Sequence, residues 1–274
     1  MSKVYLLLKG LIPLIIIFFS AFYARIWFEK YIVSINTTQF ENTSEIELYL
    51  EDDLVIDINE INTLLNYVKY SKEDIADYFD CSVGSQDIII REGNCIGRAF
   101  LSLNIILLRY NSNCLPSVLH ELIHFSLGNY KELWMTEGLA VYYSLLLKRD
   151  NNKLSKYVDS QDNYIYINDN CNQDLIVPLC RITRAYNKEK VRSFFNINDY
   201  SINYEDLGDN VFDFYALSGN FVEYIIDKIG EKHVRQFIVT NTRKSTLLKD
   251  YLNDNAINLD DLYVDWLDLN FSDS

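Results

Sequence analysis

The chain has 274 residues, of which 49% are apolar, and its formal net charge is -14. That length and composition allow one large domain or two small ones, with enough apolar side chains for a real core. The acidic balance argues against a nucleic-acid partner, because proteins that grip phosphates normally present a basic face.

The first thirty residues differ in character from the rest of the chain. Residues 4–24 are apolar apart from Lys9 and Ser20, and about 20 apolar residues suffice for a helix to cross the hydrocarbon core of a bilayer. A cleavable signal peptide is the alternative, but no A-x-A spacing of small residues ends the segment, which favours an uncleaved anchor. The segment predicts a single-pass membrane protein anchored by 1–30, with a cytoplasmic N-terminus and the domain at 31–274 extracytoplasmic, either periplasmic or extracellular.

The remaining pattern predicts an α+β fold, in which a small mixed sheet precedes a mostly helical C-terminal half. The alternating EIELYL indicates a strand, and 59–79 has the apolar spacing of one or two helices. The segments QDIIIRE and RAFLSLNIILLRY, separated by GNCIG, predict two or three strands. We expect an α/β part at about 31–150 and a helical part at about 181–274, whose clearest helix is 211–229, closed by Gly230.

Two helices are predicted between these parts. The first contains HELIH; it starts at Asn113 or Cys114, has Pro116 in its first turn, and ends near Gly128. The second follows Thr136, a residue type suited to the N-cap, and runs to about residue 148. The region 149–180 is polar and irregular.

The HELIH helix carries a candidate metal site. His120 and His124 are four residues apart, so both rings project from one face and can reach a single ion. A catalytic zinc ion takes three protein ligands and keeps one position open, so a third ligand is needed. Glu137 is the candidate for this third ligand, because the first helix ends at Gly128 and the next helix can then fold back on it. Glu121 is offset by about 100° from His120 on the helical wheel and is better placed to act as general base towards the activated water.

The pattern H-E-x-x-H followed by W-x-x-E-G-L-A resembles that of the gluzincin zinc metallopeptidases, in particular their peptidase MA-like domains. FLSLNIILL is similar to the edge strand that precedes the zinc helix in that family and pairs with the substrate backbone. YALSGNFVEYIIDKIGEKHVRQFI is similar to its tyrosine-containing helix, and LDDLYVDWLDL to its C-terminal tryptophan helix. The resemblance covers about 95–270.

This resemblance implies that His120, His124 and Glu137 are zinc ligands and that Glu121 is the catalytic acid. It also implies a tyrosine that donates a hydrogen bond to the tetrahedral oxyanion, for which Tyr215 is the candidate. The residues that compete with Tyr215 for that alignment are Tyr204, Tyr224 and Phe214. A role as core aromatic remains the alternative for Tyr215.

The function expected from the sequence is that of a membrane-anchored, zinc-dependent peptidase acting on a peptide or protein substrate. SLNIILL stands where the aminopeptidases of the family have their glycine-methionine-glutamate-asparagine motif, which favours an endopeptidase. The alternative is a non-catalytic envelope or surface protein that keeps the gluzincin fold for binding. The intact Glu121 and Glu137 favour the enzyme.

The chain contains five cysteines. In an oxidising compartment, Cys81 with Cys95 and Cys171 with Cys180 are close enough in sequence to close short loops, which would leave Cys114 free. The alternative is that all five are reduced small core residues.

Overall fold

The protein is described from a computed structural model, and its architecture is α+β. A mixed sheet is followed by a mostly helical C-terminal half, as the apolar patterns predicted. The residues that the structure describes are Trp27, Tyr31, 36–42, 46–81, 83–95, 97–112, 114–128, 130–161, 164, 175–202, 204–240 and 247–273.

Within the described ranges, the sheet has five strands in the order β1-β2-β3-β5-β4. They are β1 (Thr37–Asn42), β2 (Ile46–Glu51), β3 (Gln86–Glu92), β4 (Gly97–Phe100) and β5 (Ile105–Tyr110). The central pairs β2–β3 and β3–β5 are parallel, whereas β1–β2 and β4–β5 are antiparallel. Helix α1 (Ile58–Phe79) forms the crossover between β2 and β3, as a parallel pair requires.

The period of two along β3 divides its side chains between the two faces of the sheet. Ile88 and Ile90 belong to the main core beneath the helices, whereas Ile89 belongs to a small second cluster with Leu103 and Ile105. Both faces of β3 are therefore buried, which explains its continuous run of isoleucines.

Strand β4 is one of the two edge strands of the sheet, and its position corrects the sequence interpretation. FLSLNIILL was expected to be the edge strand, but it contains the end of β4, a 3-10 turn at Leu101–Leu103, and most of β5, which lies inside the sheet. The chain reverses at Asn104, which has a φ of 58°. Because of this reversal, the short GRAF segment pairs with β5 on its outer side and forms an edge strand.

The helices that the structure describes after the sheet are α2 (Val118–Leu127), α3 (Leu133–Asp150), α4 (Cys180–Ala185), α5 (Lys188–Phe194), α6 (Tyr204–Leu207), α7 (Val211–Ile229), α8 (Glu231–Thr240), α9 (Leu248–Asp254) and α10 (Leu259–Asn270). The predicted limits of α7 are confirmed, and Gly230 follows it with a φ of 85°. Helix α2 ends at Gly128 as predicted.

The predicted starts of α2 and α3 are wrong. Helix α2 begins at Val118, because Cys114 is held in an extended bridge with Asn111 before the helix. Asn113 lies outside the described residues. Helix α3 begins at Leu133, and Thr136 is not its N-cap: the Thr136 hydroxyl instead accepts a hydrogen bond from the Tyr130 backbone N–H, at 2.8 Å.

Helices α3 and α7 approach each other closely because each has a glycine at the contact. A Cβ atom at Gly138 would lie 2.6 Å from the carbonyl oxygen of Ser218, and one at Gly219 would lie 2.5 Å from Val141 Cγ1. No larger side chain fits at either position without a shift of the neighbouring helix. The contact places the N-terminal half of α7 beside the first turns of α3.

Of the predicted disulfide pairs, Cys81 with Cys95 is wrong, and so is the alternative that all five cysteines are reduced. Cys95 is bonded to Cys114, with their Cα atoms 6.1 Å apart, and Cys81 is free and partly buried. The reason is the sheet topology. Cys95 follows β3 and Cys114 follows β5, and because these neighbouring strands are parallel, their C-terminal ends lie side by side. Cys180 is disulfide-bonded, and Cys171 lies outside the described residues.

In the part of the chain that the structure describes, no helix combines the length and the apolar character needed to cross a membrane. The longest helix among the described residues, α1, is amphipathic, with charged residues among its apolar ones. The transmembrane helix in the predicted fold class, and the single-pass localisation based on it, are corrected accordingly. The predicted span at 4–24 lies outside the described residues.

Candidate metal centre

Helix α2 carries three ionisable side chains in a largely apolar sequence. Its leucine and isoleucine side chains enter the main core, whereas His120, Glu121 and His124 lie on the side that faces a cleft. All three polar side chains are buried. A buried polar group is costly unless it has a partner, so a cluster of this kind indicates a site.

Glu137 completes the cluster from the first turns of α3. Its Oε2 atom lies 3.2 Å from His120 Nε2 and 3.6 Å from His124 Nε2. The two Nε2 atoms are 3.1 Å apart. The fold therefore brings together the three residues that the sequence analysis selected as metal ligands.

The distances within the cluster fit a zinc ion. Zinc binds imidazole nitrogen and carboxylate oxygen at about 2.0–2.2 Å in tetrahedral geometry, which separates neighbouring ligand atoms by about 3.3 Å. The three observed separations of 3.1, 3.2 and 3.6 Å lie close to that value, two below it and one above it. Two imidazoles and one carboxylate are also a donor set that zinc accepts with a fourth position open.

The electrostatics of the cluster are those of closely coupled groups. Burial would raise the pKa of Glu137, but the charge of His124 and hydrogen bonds from both histidines hold that pKa well below its usual range. Burial lowers the pKa of His124, but the carboxylates of Glu137 and Glu121 outweigh burial and raise it above its ordinary value. The Glu137 carboxylate is therefore ionised and available as an anionic ligand.

Glu121 lies between the two histidines and the edge strand. A Cβ atom at Gly97 would lie 2.5 Å from Glu121 Cγ and 2.7 Å from its Oε1 atom, so the absence of a side chain at residue 97 makes room for this carboxylate. Burial raises the pKa of Glu121, while the nearby histidines and a hydrogen bond from the Ala99 backbone oppose that rise. A carboxyl group with a raised pKa is suited to proton transfer near neutral pH.

Two tyrosines reach the cluster from the helical half of the chain. The ring of Tyr215, on α7, stacks on His120 with centroids 5.8 Å apart. The hydroxyl of Tyr204, on α6, donates a hydrogen bond to Glu137 Oε1. Burial, reinforced by the Glu137 charge, raises the pKa of both tyrosines, so both hydroxyl groups keep their protons.

The other two residues that competed with Tyr215 are not at the site. Phe214 is part of the hydrophobic core, and Tyr224 packs on the core with Lys228 over its ring. Neither residue lines the cleft. Tyr215 and Tyr204 therefore remain as the aromatic residues beside the cluster.

The cluster lies in a cleft of about 630 Å³. Its lining residues are Gly97, Arg98, Ala99, His120, Glu121, His124, Glu137, Tyr204, Glu205, Val211 and Tyr215. A narrow apolar pocket adjoins it beyond Glu121, and Phe212 and Tyr164 form part of its wall.

Sequence reasoning did not select Gly97, Arg98 or Glu205 as site residues. The glycine just before a strand in GNCIGRAF is a local signal for a close backbone approach, and it could have indicated Gly97. Glu205 has no such signal, because its place at the cleft depends on how the segment before α7 packs.

The fold resembles that of a known zinc metallopeptidase. A solved structure of a two-domain M1 zinc metallopeptidase, a mutant bound to L-arginine, matches 87% of this chain with a TM-score of 0.50 and 12% sequence identity. The match spans 52% of that protein, so this chain corresponds to about half of its length. No protein-family model and no curated protein matches the sequence. The likeness to a gluzincin-type enzyme that HELIH and its downstream glutamate indicated is therefore supported at the level of the fold.

Proposed function

We propose that this protein is a zinc-dependent peptidase. The observation that carries the proposal is the convergence of His120, His124 and Glu137 at distances that suit zinc, with Glu121 beside them in an open cleft. The shared fold with a zinc metallopeptidase adds support. The three converging residues are the proposed metal ligands, and Glu121 is the proposed general base.

A bound zinc ion would polarise the scissile carbonyl group and lower the pKa of the attacking water. Glu121 accepts a proton from this water as its oxygen bonds to the carbonyl carbon. The same carboxyl group then donates the proton to the leaving nitrogen as the C–N bond breaks. The raised pKa of Glu121 suits it both to accept and to donate this proton. The room left by Gly97 allows the carboxylate to lie within reach of the reacting atoms.

Two further features of the cleft suit a peptide substrate. In the described residues β4 pairs only with β5, so its outer edge offers backbone groups to which an extended peptide can bind as an added strand. The Tyr215 hydroxyl is protonated and borders the cleft. We assign to it the hydrogen bond that stabilises the oxyanion.

We propose endopeptidase activity as the finer specificity. The edge strand carries Arg98 and no carboxylate, so β4 itself has no anionic group to bind a free amino terminus. An aminopeptidase is the second candidate, and it is favoured by Glu205, whose carboxylate borders the cleft from α6.

The test of peptidase function compares the wild-type full-length chain with Glu121→Gln and His124→Ala. We expect one equivalent of bound zinc in the wild type and in Glu121→Gln, and less in His124→Ala. We also expect hydrolysis of a diverse peptide library by the wild type alone. A zinc-loaded wild type that cleaves none of these peptides would instead favour a binding protein.

Matched peptides with a free or an acetylated amino terminus separate the two specificities. An endopeptidase cleaves both at the same internal bond, and Glu205→Gln leaves that cleavage unchanged. Cleavage of the free peptides alone, from their amino terminus and with loss in Glu205→Gln, would establish the aminopeptidase.

A further inference from the structure

Tyr204 and Glu137 form a hydrogen bond that spans 67 residues of sequence. The two oxygens of Glu137 have different partners: Oε2 faces the two histidine Nε2 atoms, and Oε1 accepts a hydrogen bond from the Tyr204 hydroxyl. The Glu137 residue is only 1% exposed. Each oxygen of the Glu137 carboxylate therefore has its own partner. Oε2 faces the proposed metal position, and Oε1, on the other side, is held by Tyr204.

The way α6 is attached points to a local role for this tyrosine. The helix has four residues, and Leu207 is its one buried side chain. The Tyr204 residue is 44% exposed, and it is not among the hydrophobic residues that pack on the main core. Its hydroxyl nevertheless reaches the buried carboxylate. The contact therefore contributes little to core packing, but it satisfies an oxygen that would otherwise lack a partner in a buried site.

We propose that Tyr204 is a positioning residue for the metal ligand Glu137. Its hydroxyl fixes the rotation of the carboxylate so that Oε2 alone faces the metal, which lowers the entropy cost of binding the ion. This inference rests on the proposed zinc site. Groups that hold a ligand carboxylate typically contribute 10- to 100-fold to metal affinity or activity.

The same contact distinguishes the roles of the two tyrosines. A tyrosine hydroxyl has one proton to donate, and in Tyr204 that proton is committed to Glu137. Tyr204 is therefore unsuited to be the oxyanion donor. Tyr215 stacks on His120 and borders the cleft, so its proton can be directed at the substrate.

The test measures zinc affinity of the full-length chain by competition with a chromophoric chelator. For Tyr204→Phe we expect affinity to fall 10- to 100-fold, while the metal-free protein stays folded at the assay temperature, with only the small fall in melting temperature that the loss of one hydrogen bond to a buried carboxylate causes. The matched control is Tyr200→Phe, four residues earlier and 45% exposed, which should bind zinc like the wild type. Tyr215→Phe should also keep wild-type zinc affinity, although its turnover should fall.

Two outcomes would overturn the inference. One is zinc affinity of Tyr204→Phe within threefold of that of Tyr200→Phe. The other is an affinity loss accompanied by unfolding of the metal-free variant at the assay temperature, because the tyrosine would then support the fold and not the ligand. His124→Ala shows whether the site itself is wrong: zinc binding that survives this change would refute the proposed function.

Discussion

Gly97 provides the sharpest test of how the edge strand and the proposed general base fit together. In Gly97→Ala, the new methyl carbon would lie 2.5 Å from Glu121 Cγ and 2.7 Å from Oε1. Non-bonded carbon atoms normally approach to about 3.5 Å, so Glu121 or β4 must move by about 1 Å. Gly97 is not among the glycines with positive φ. Alanine therefore adds a steric conflict and no backbone strain.

The size of the effect follows from this displacement. A misplacement of about 1 Å in a catalytic site can reduce the rate by about 100-fold, which corresponds to about 2.7 kcal/mol in the activation barrier. Overpacking typically lowers the free energy of unfolding by about 1–3 kcal/mol. Zinc affinity should change little, because the three atoms nearest to the added methyl group all belong to Glu121. None of them belongs to the proposed ligands His120, His124 and Glu137.

The assay is kcat/KM for a peptide substrate, with zinc content and melting temperature measured on the same samples. Gly84→Ala is the matched control, because its Cβ would meet only Gln86 Nε2, at an ordinary distance of 4.0 Å. We expect about 100-fold lower kcat/KM in Gly97→Ala, with zinc retained. If both variants turn over substrate within threefold of each other, Glu121 does not act from this position.

Three other predictions follow from the structure. Tyr215→Phe should lower kcat by about 100-fold with zinc retained, as expected for loss of an oxyanion donor; unchanged kinetics would make Tyr215 a core aromatic only. Burial raises the pKa of Glu132 from 4.5, so the stability it contributes is present below pH 4.5 and lost as pH rises through its folded pKa. Glu132→Gln keeps an acceptor for the Leu248 backbone N–H, 3.0 Å away, and should be more stable than the wild type in urea titrations at pH 8 but not at pH 4; equal stability at both would contradict this. Replacing Cys95 and Cys114 by serine opens a link between residues 19 positions apart and should cost about 3 kcal/mol of unfolding free energy, whereas a loss under about 1 kcal/mol would show that the loop is held by other contacts.

Local patterns in the sequence were sufficient for the individual elements. The isoleucine run of β3 and the helical spacing of α7 predicted both elements with their observed limits, because buried strands and amphipathic helices each have a characteristic period. The starts of α2 and α3 were missed. At Cys114 a disulfide and an extended bridge outweighed the local preference for a helix start, and at Thr136 a hydroxyl contact to Tyr130 replaced the expected cap.

The sequence by itself determined the chemistry of the candidate centre. His120 and His124 are one helical turn apart, so any helix at this place presents both rings together, and Glu121 follows from the same geometry. Glu137 could be selected because it lies near the start of the next helix, after a short break at Gly128. The placement of the two histidines and Glu121 follows from the helical repeat, and that of Glu137 from the short connection between the two helices.

Only the tertiary structure decided what surrounds the centre. The edge position of β4, the approach of Gly97 to Glu121, the Cys95–Cys114 bond and the Tyr204 contact with Glu137 all join residues that are distant in sequence. Such contacts depend on strand order and on which helix faces pack together. No local period encodes them, so they emerge only when the sheet and the helices share one core.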